Sequence, residues 1–113
     1  MIITRKNTFQ EVVKSKSLEE RKFRCLMWEI HCLIGKNCYK ISHAITVIKK
    51  ACDNISFISE HSKKMVKLYI KRCDHIIRVI YKNPSLCNDE NLNIDDTIEF
   101  FHESSIKMSK YLN

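Results

Sequence analysis

The sequence predicts an all-α fold, specifically an up-up-down-down bundle of four helices with long crossover loops, in one domain covering residues 1–113. Two observations predict it. The chain has one Gly and one Pro among 113 residues, which is too few for the many tight turns of an all-β fold. Apolar residues also recur every three or four positions in four separate segments, which is the spacing of amphipathic helices.

The first predicted helix covers residues 8–21. Asn7 or Thr8 could cap it, and Glu11 falls in its first turn, where the helix dipole favours an acidic side chain. The inward side of this helix would carry three apolar residues, Phe9, Val12 and Val13.

The spacing of apolar residues changes in the next segment, Leu26–Leu33. Leu26, Trp28, Ile30 and Cys32 alternate with Met27, Glu29, His31 and Leu33, and alternation predicts a β-strand. Gly35 ends the strand. Leu92 and Ile94 could form a second short strand beside it, which would give a small two-stranded ribbon.

The second predicted helix covers residues 38–52. One face of it is apolar and carries Ile41, Ala44, Ile45, Ile48 and Ala51, whereas Lys40, Lys49 and Lys50 lie off that face. A cysteine stands at each end, Cys38 and Cys52. This arrangement suggests that two disulfides link the ends of this short helix to the rest of the fold.

The third predicted helix, residues 60–82, is the longest and ends at Asn83-Pro84-Ser85. Its inner stripe is apolar: Met65, Leu68, Tyr69, Cys73, Ile76, Ile77 and Ile80. The opposite stripe is basic: Lys64, Lys67, Lys71, His75, Arg78 and Lys82. Such a stripe is either a solvated face or a surface that binds a partner.

The fourth predicted helix covers residues 95–111, with Asp95 or Asp96 as its cap. Ile98, Phe101, Ser105, Met108 and Leu112 recur at helical spacing. Long connections join the first helix to the second and the third to the fourth. This pattern indicates the up-up-down-down order.

The net charge of +7 suits an anionic partner, whether nucleic acid, an anionic surface or an acidic protein. The Lys and Arg residues are spread along the chain without an Arg-rich block or interleaved aromatic residues, which argues against nucleic acid. No apolar run approaches the ~20 residues that span a bilayer, so membrane insertion is not expected. Met1 is followed by no apolar leader, which indicates a cytosolic protein or a mature form with an added Met.

The six cysteines indicate either a disulfide framework in a secreted protein or buried thiols in a cytosolic one. Metal binding is not predicted, since no Cys-x-x-Cys pair exists and the five His residues lack ligand spacing. Asn54-Ile55-Ser56 is an N-glycosylation acceptor if the chain is secreted. Neither a cofactor nor an enzymatic activity is expected, because the chain has no Gly-rich phosphate loop, nucleophile motif or carboxylates at catalytic spacing.

Three segments resemble the interleukin-4/13 family of short-chain four-helix cytokines, in its non-mammalian vertebrate form. Thr8-Phe9-Gln10-Glu11-Val12-Val13-Lys14 is similar to the start of that family's first helix. Tyr69-Ile70-Lys71-Arg72-Cys73-Asp74 resembles its third helix. Cys87, an acidic loop and Thr97-Ile98-Glu99-Phe100-Phe101 are similar to its approach into the fourth. The order and spacing of these segments, across nearly the whole chain, carry the resemblance.

The resemblance implies a set of disulfides, Cys25–Cys52 and Cys38–Cys87. The chain departs from the family in one respect. The family links its two termini with a third disulfide, and this chain has no cysteine near either end. Cys32 and Cys73 either pair with each other or remain buried thiols.

The resemblance further implies a secreted type-2 immune cytokine, a monomer that signals by bridging two cell-surface receptor chains. Residues at the first interface, with an interleukin-4 receptor alpha-like chain, would be Glu11, Lys71, Arg72, His75 and Arg78. The second chain, common gamma-like or interleukin-13 receptor alpha-1-like, would contact Val13, Ser17 and Tyr111. His75 stands where the family has an arginine, so Lys71 or Arg78 would supply that charge.

The alternative function is a cytosolic basic helical module that binds nucleic acid or an acidic protein. The state of the cysteines separates the two functions, since disulfides favour the cytokine and free thiols favour the cytosolic protein.

Overall fold

The computed structural model describes residues 18–34 and 40–112, with side chains described for 18–30 and 40–112. In these ranges the chain is helical and contains no strand, which confirms the predicted all-α class. The helices are α1 (Leu18–Ile34), α2 (Ile41–Asp53), α3 (Ile55–His61), α4 (Lys63–Lys82), α5 (Ser85–Asn88) and α6 (Ile94–Ser109), followed by a 3₁₀ turn over Lys110–Leu112.

Helix α1 occupies the segment predicted as a strand, so the prediction for Leu26–Leu33 is wrong. Phe23, Leu26, Met27 and Ile30 pack against the core, and their spacing of three and four residues is helical. Glu19 and Glu20 lie in the first turn of α1 as described, which favours the helix dipole. Of the predicted first helix, residues 8–17 lie outside the described residues and 18–21 are helical.

Helix α2 confirms the second predicted helix within the described residues. Lys40 precedes it without a side-chain cap, and a residue far along the chain supplies one instead. The Glu90 carboxylate accepts the backbone N–H groups of Ile41 and Ser42 at 2.7 and 3.2 Å and the Ser42 hydroxyl at 2.6 Å. Glu90 therefore satisfies N–H groups that a helix start leaves without partners.

The third predicted helix is present but begins after a break at Ser62. The Ser62 hydroxyl accepts the Met65 backbone N–H at 3.3 Å and so caps α4, which ends at Lys82 ahead of Asn83 and Pro84. The segment before the break, which lies mostly between the second and third predicted helices, forms the short helix α3. It packs on α1, where the His61 ring stacks on Phe23 with 4.9 Å between ring centroids.

Asn93 caps helix α6, two residues earlier than predicted. Its side-chain oxygen accepts the Asp96 backbone N–H at 2.9 Å, while Asp95 and Asp96 lie in the first turn. The second predicted strand is therefore wrong, because Leu92 belongs to the turn before α6 and Ile94 begins the helix.

Helices α4 and α6 run antiparallel. The Lys63 ammonium at the start of α4 donates to the backbone carbonyl of Tyr111, which follows α6. An up-up-down-down bundle needs its third and fourth helices parallel, so the described helices do not confirm this part of the predicted topology. The connection over residues 83–93 folds into α5 and a turn closed by the Leu92 N–H on the Cys87 carbonyl. It is therefore too compact to run back along the 20-residue α4.

The described helices share one hydrophobic core, and each of them contributes apolar side chains to it. Its fully buried members include Ile48 and Ala51 of α2, Val66 and Ile80 of α4, and Phe101 and Met108 of α6. Close packing of these side chains, rather than helix propensity alone, is what stabilises helices of this length.

Four cysteines in the described part of the chain are free thiols: Cys25, Cys52, Cys73 and Cys87. The expected pair Cys25–Cys52 is therefore not formed. The other two expected pairings, Cys38–Cys87 and Cys32–Cys73, each include a cysteine whose side chain lies outside the described part of the chain, so they stay predictions. For the first pair the reason is geometric. Cys25 is exposed on α1, whereas Cys52 is buried and interacts with the Ser104 side chain of α6.

Burial makes the three inner thiols poor nucleophiles. Desolvation, with smaller effects from Cys52 and Asp74, raises the pKa of Cys73 to about 12. Burial also raises the pKa values of Cys52 and Cys87, against the opposing hydrogen bonds of Ser104 and Thr97. Since the thiolate is the reactive form, these cysteines are expected to be inert in the folded protein.

Alkylation should therefore distinguish Cys25 from the inner cysteines. With iodoacetamide under native conditions at pH 8, Cys25 should be modified at least about tenfold faster than Cys52, Cys73 or Cys87. Peptide mapping by mass spectrometry measures the rates. As a control, denaturation in urea without reductant should make all four react alike. Cysteines that stay unmodified in urea would be disulfide-bonded, contrary to the structure.

Candidate functional site

A groove with a volume of about 600 Å³ lies between α2 and α4. On α4 its lining residues follow the spacing of one helix face, and so do those on α2. The lining consists of Lys40, Ile41, His43, Ala44 and Val47 from the α2 side, Leu68, Lys71, Arg72, His75, Ile76 and Val79 from α4, and Leu86 from α5. The groove therefore arises where two helix faces meet.

The floor of the groove is apolar. Ile41, Val47 and Ile76 are buried, and Ala44 packs against the same core. Leu68 is the exception, because 49% of its surface is exposed although it lines the groove. An exposed leucine above a buried apolar floor is a surface that gains free energy when a partner covers it.

The rim of the groove carries basic side chains on both sides. Lys40 and His43 stand on the α2 side, and Lys71, Arg72 and His75 stand on α4, all with exposed side chains. No acidic residue is among the described residues that line the groove. Glu90, just outside the lining, interacts with Lys40 on the α2 side. The positive charges that most favour an anionic partner are therefore those of Lys71 and Arg72 on α4.

The basic surface continues beyond the groove along α4. Lys64, Lys67, Arg78 and Lys82 are exposed and recur at helical spacing with Lys71 and His75. The predicted basic stripe is thus confirmed as an exposed face of the helix. A helix of 20 residues is about 30 Å long, so the stripe forms an extended basic ridge.

The structure brings together three of the residues predicted for the first interface, Lys71, Arg72 and His75, in the wall of the groove. Arg78 is exposed on the same helix but does not line it. Glu11 lies outside the described residues, so its predicted place beside these residues at the first interface stays a prediction.

The residues predicted for a second interface are not brought together in the described part of the chain. Val13 and Ser17 lie outside it. Tyr111 is half-buried against the core, and its backbone carbonyl accepts a hydrogen bond from Lys63.

Asn54, the predicted glycosylation site, joins α2 to α3. Its side-chain amide donates to the Lys50 carbonyl at 2.9 Å, and its backbone N–H bonds to Ala51. Attachment of a sugar to this amide nitrogen would compete with the side-chain hydrogen bond.

The α2 half of the groove was not predicted as a site. The signal available in the sequence was Lys40, which lies off the apolar face of its helix, but a pairing of α2 with α4 depends on tertiary packing.

A second, shallower cleft lies between α2 and α6. Its lining includes both acidic residues and lysines, among them Glu103 and Lys107, so the cleft has no single sign of charge. Among the described residues, no group of three His, Cys, Asp or Glu side chains could hold a metal ion.

The described helices include none that is long and apolar enough to span a bilayer. The chain matches no protein-family model, no curated protein and no solved structure. Nothing in these comparisons therefore supports the interleukin-4/13 resemblance, which rests on the motifs quoted above, and the groove has to be interpreted from its own chemistry.

Proposed function

We propose that this protein is a binding module that docks an acidic segment of another protein in the groove between α2 and α4. The observation that carries the proposal is the combination of an apolar floor with cations on both rims and no acid in the lining. Partners of opposite charge are guided to such a surface, and burial of apolar side chains then holds them there.

The apolar floor favours a protein over nucleic acid. Seven of the twelve lining residues are apolar, and a phosphate backbone gains nothing from covering them. The chain's own first 17 residues do not suit the groove either, because Arg5, Lys6, Lys14 and Lys16 outnumber the single acid Glu11. An acidic protein from outside the chain fits both features.

Charge reversal tests the proposal. For a fluorescent peptide of Glu and Leu residues, Lys71→Glu with Arg72→Glu should raise Kd more than about tenfold, because both rim charges then repel the ligand. The matched control is Lys22→Glu with Lys49→Glu, which changes the net charge equally at exposed positions outside the groove and should raise Kd less than about threefold.

Binding is measured by fluorescence anisotropy at ~0.15 M salt, where long-range attraction is screened. Equal loss in both variants would mean that the peptide responds to net charge and not to the groove. A 20-base-pair DNA duplex is measured in parallel. Groove-dependent binding of the duplex without binding of the peptide would support the nucleic-acid alternative.

The second candidate function is the receptor-bridging cytokine implied by the resemblance. The observation that favours it is that Lys71, Arg72 and His75 line one groove, as a first receptor interface would require. The free thiols and the antiparallel α4 and α6 do not favour it. Its test is binding of the protein to an interleukin-4 receptor alpha-like ectodomain, which Lys71→Ala should weaken.

A further inference from the structure

We infer that the groove is built for an amphipathic α-helix of about three turns, with acidic residues on both edges of its apolar stripe. This inference rests on the proposed docking function and adds the form of the ligand. It derives from the length of the groove, the position of its cations and the one exposed leucine in it.

The length of the groove sets the length of the ligand. On α4 the lining extends from Leu68 to Val79, eleven residues apart, which corresponds to about 16 Å along the helix axis. A ligand helix lying along this face would make contact over about three turns. Apolar residues at i, i+4 and i+7 of the ligand would then meet the floor, as in other helix-in-groove interfaces.

The two rims set the charge pattern of the ligand. Lys40 stands at the edge formed by α2, whereas Lys71 and Arg72 stand at the edge formed by α4. A helix in the groove would face Lys71 and Arg72 on one side and Lys40, which also interacts with Glu90, on the other. Acids on both flanks of its apolar stripe match the site, and those that face α4 should contribute most. In an extended strand with its apolar face on the floor, the alternate acidic side chains would point away from the groove and not toward the two rims.

Leu68 is the anchor that this geometry identifies on the protein. It is half-exposed at one end of the α4 lining and carries apolar surface that the helix ligand would cover. Ile106 on α6 is its matched control, because 47% of its surface is exposed and it does not line the groove.

Two 16-residue peptides of identical composition, rich in Glu and Leu, test the inference. In one, the leucines follow helical spacing with Glu on both flanks; in the other, the same residues are shuffled so that no apolar stripe forms. The patterned peptide should bind at least about tenfold tighter, and Leu68→Ala should weaken it about fivefold or more, while Ile106→Ala leaves it unchanged. Circular dichroism should show that the bound peptide gains helix.

The outcomes separate the inference from the function on which it rests. If both peptides bind equally, both depend on Lys71 and Arg72, and Leu68→Ala has no effect, acidic docking stands and the helical ligand is wrong. If neither peptide binds, the docking function fails too. The protein could instead self-associate in a salt-sensitive way, and Lys71→Glu with Arg72→Glu could abolish that association. This result would place a second copy of the chain in the groove and overturn the inference.

Discussion

Replacement of Phe101 by alanine is expected to lower the free energy of unfolding by about 3–5 kcal/mol. Phe101 is fully buried in α6, and its ring meets Phe100 edge-on at 5.0 Å between centroids. Truncation removes the buried ring and leaves a cavity that the packed helices cannot fill. Because small domains are stable by only about 5–15 kcal/mol, this variant should be close to unfolding at 37 °C. Urea denaturation followed by circular dichroism measures the loss.

The control is Ile106→Ala on the same helix. Ile106 is half-exposed, so the substitution should cost about 1 kcal/mol or less. Comparable losses in the two variants would mean that α6 does not present Phe101 to the core.

Replacement of Glu90 by alanine is expected to cost about 1.5–3 kcal/mol. The carboxylate receives two backbone N–H groups and one hydroxyl at the start of α2, and hydrogen bonds to an ionised group are worth more than neutral ones. Glu90→Gln should lose part of this stabilisation, since an amide carries no charge. The matched control is Asp89→Asn, an exposed neighbour, which should change the unfolding free energy by less than about 0.5 kcal/mol.

The pH dependence provides a second measurement of the same cap. Burial would raise the pKa of Glu90, but hydrogen bonds from Ser42 and Ile41 and the charge of Lys40 outweigh it and hold the pKa below its ordinary value of 4.5. A carboxylate with a lowered folded-state pKa stabilises the protein above its unfolded-state pKa and loses that effect as the pH falls through the folded value. The stability difference between the parent and Glu90→Gln should therefore shrink below pH 4.5. A constant difference would contradict the cap.

Much of the helical structure could be predicted from the spacing of apolar residues, and the failure at Leu26–Leu33 has a clear cause. That segment is apolar on nearly every side, so it fits a period of two and a period of 3.6 equally well. Phe23 and Met27 decide between them in the structure, because with Ile30 they form a helical stripe against the core. Local sequence could not show which side faced the core.

One of the two walls of the candidate site, the one formed by α4, could be predicted from the sequence. The basic stripe of α4 was visible in the sequence because charges at helical spacing need no knowledge of the fold. The other wall, with Ile41 and Ala44, exists only because α2 packs beside α4. The cap by Glu90 is likewise a contact across 49 residues, which no local motif could indicate.

That separation of 49 residues also bears on the order in which the chain folds. Helix α2 has no local cap, so its start becomes fully stabilised only after the turn that follows α4 has formed. Helices α4 and α6 are joined by a compact turn and can pair early, because contacts close in sequence cost less loop entropy. We therefore expect α2 to dock late. Stopped-flow kinetics of Glu90→Gln would then show faster unfolding with an almost unchanged folding rate, whereas slower folding would place the cap in the nucleus.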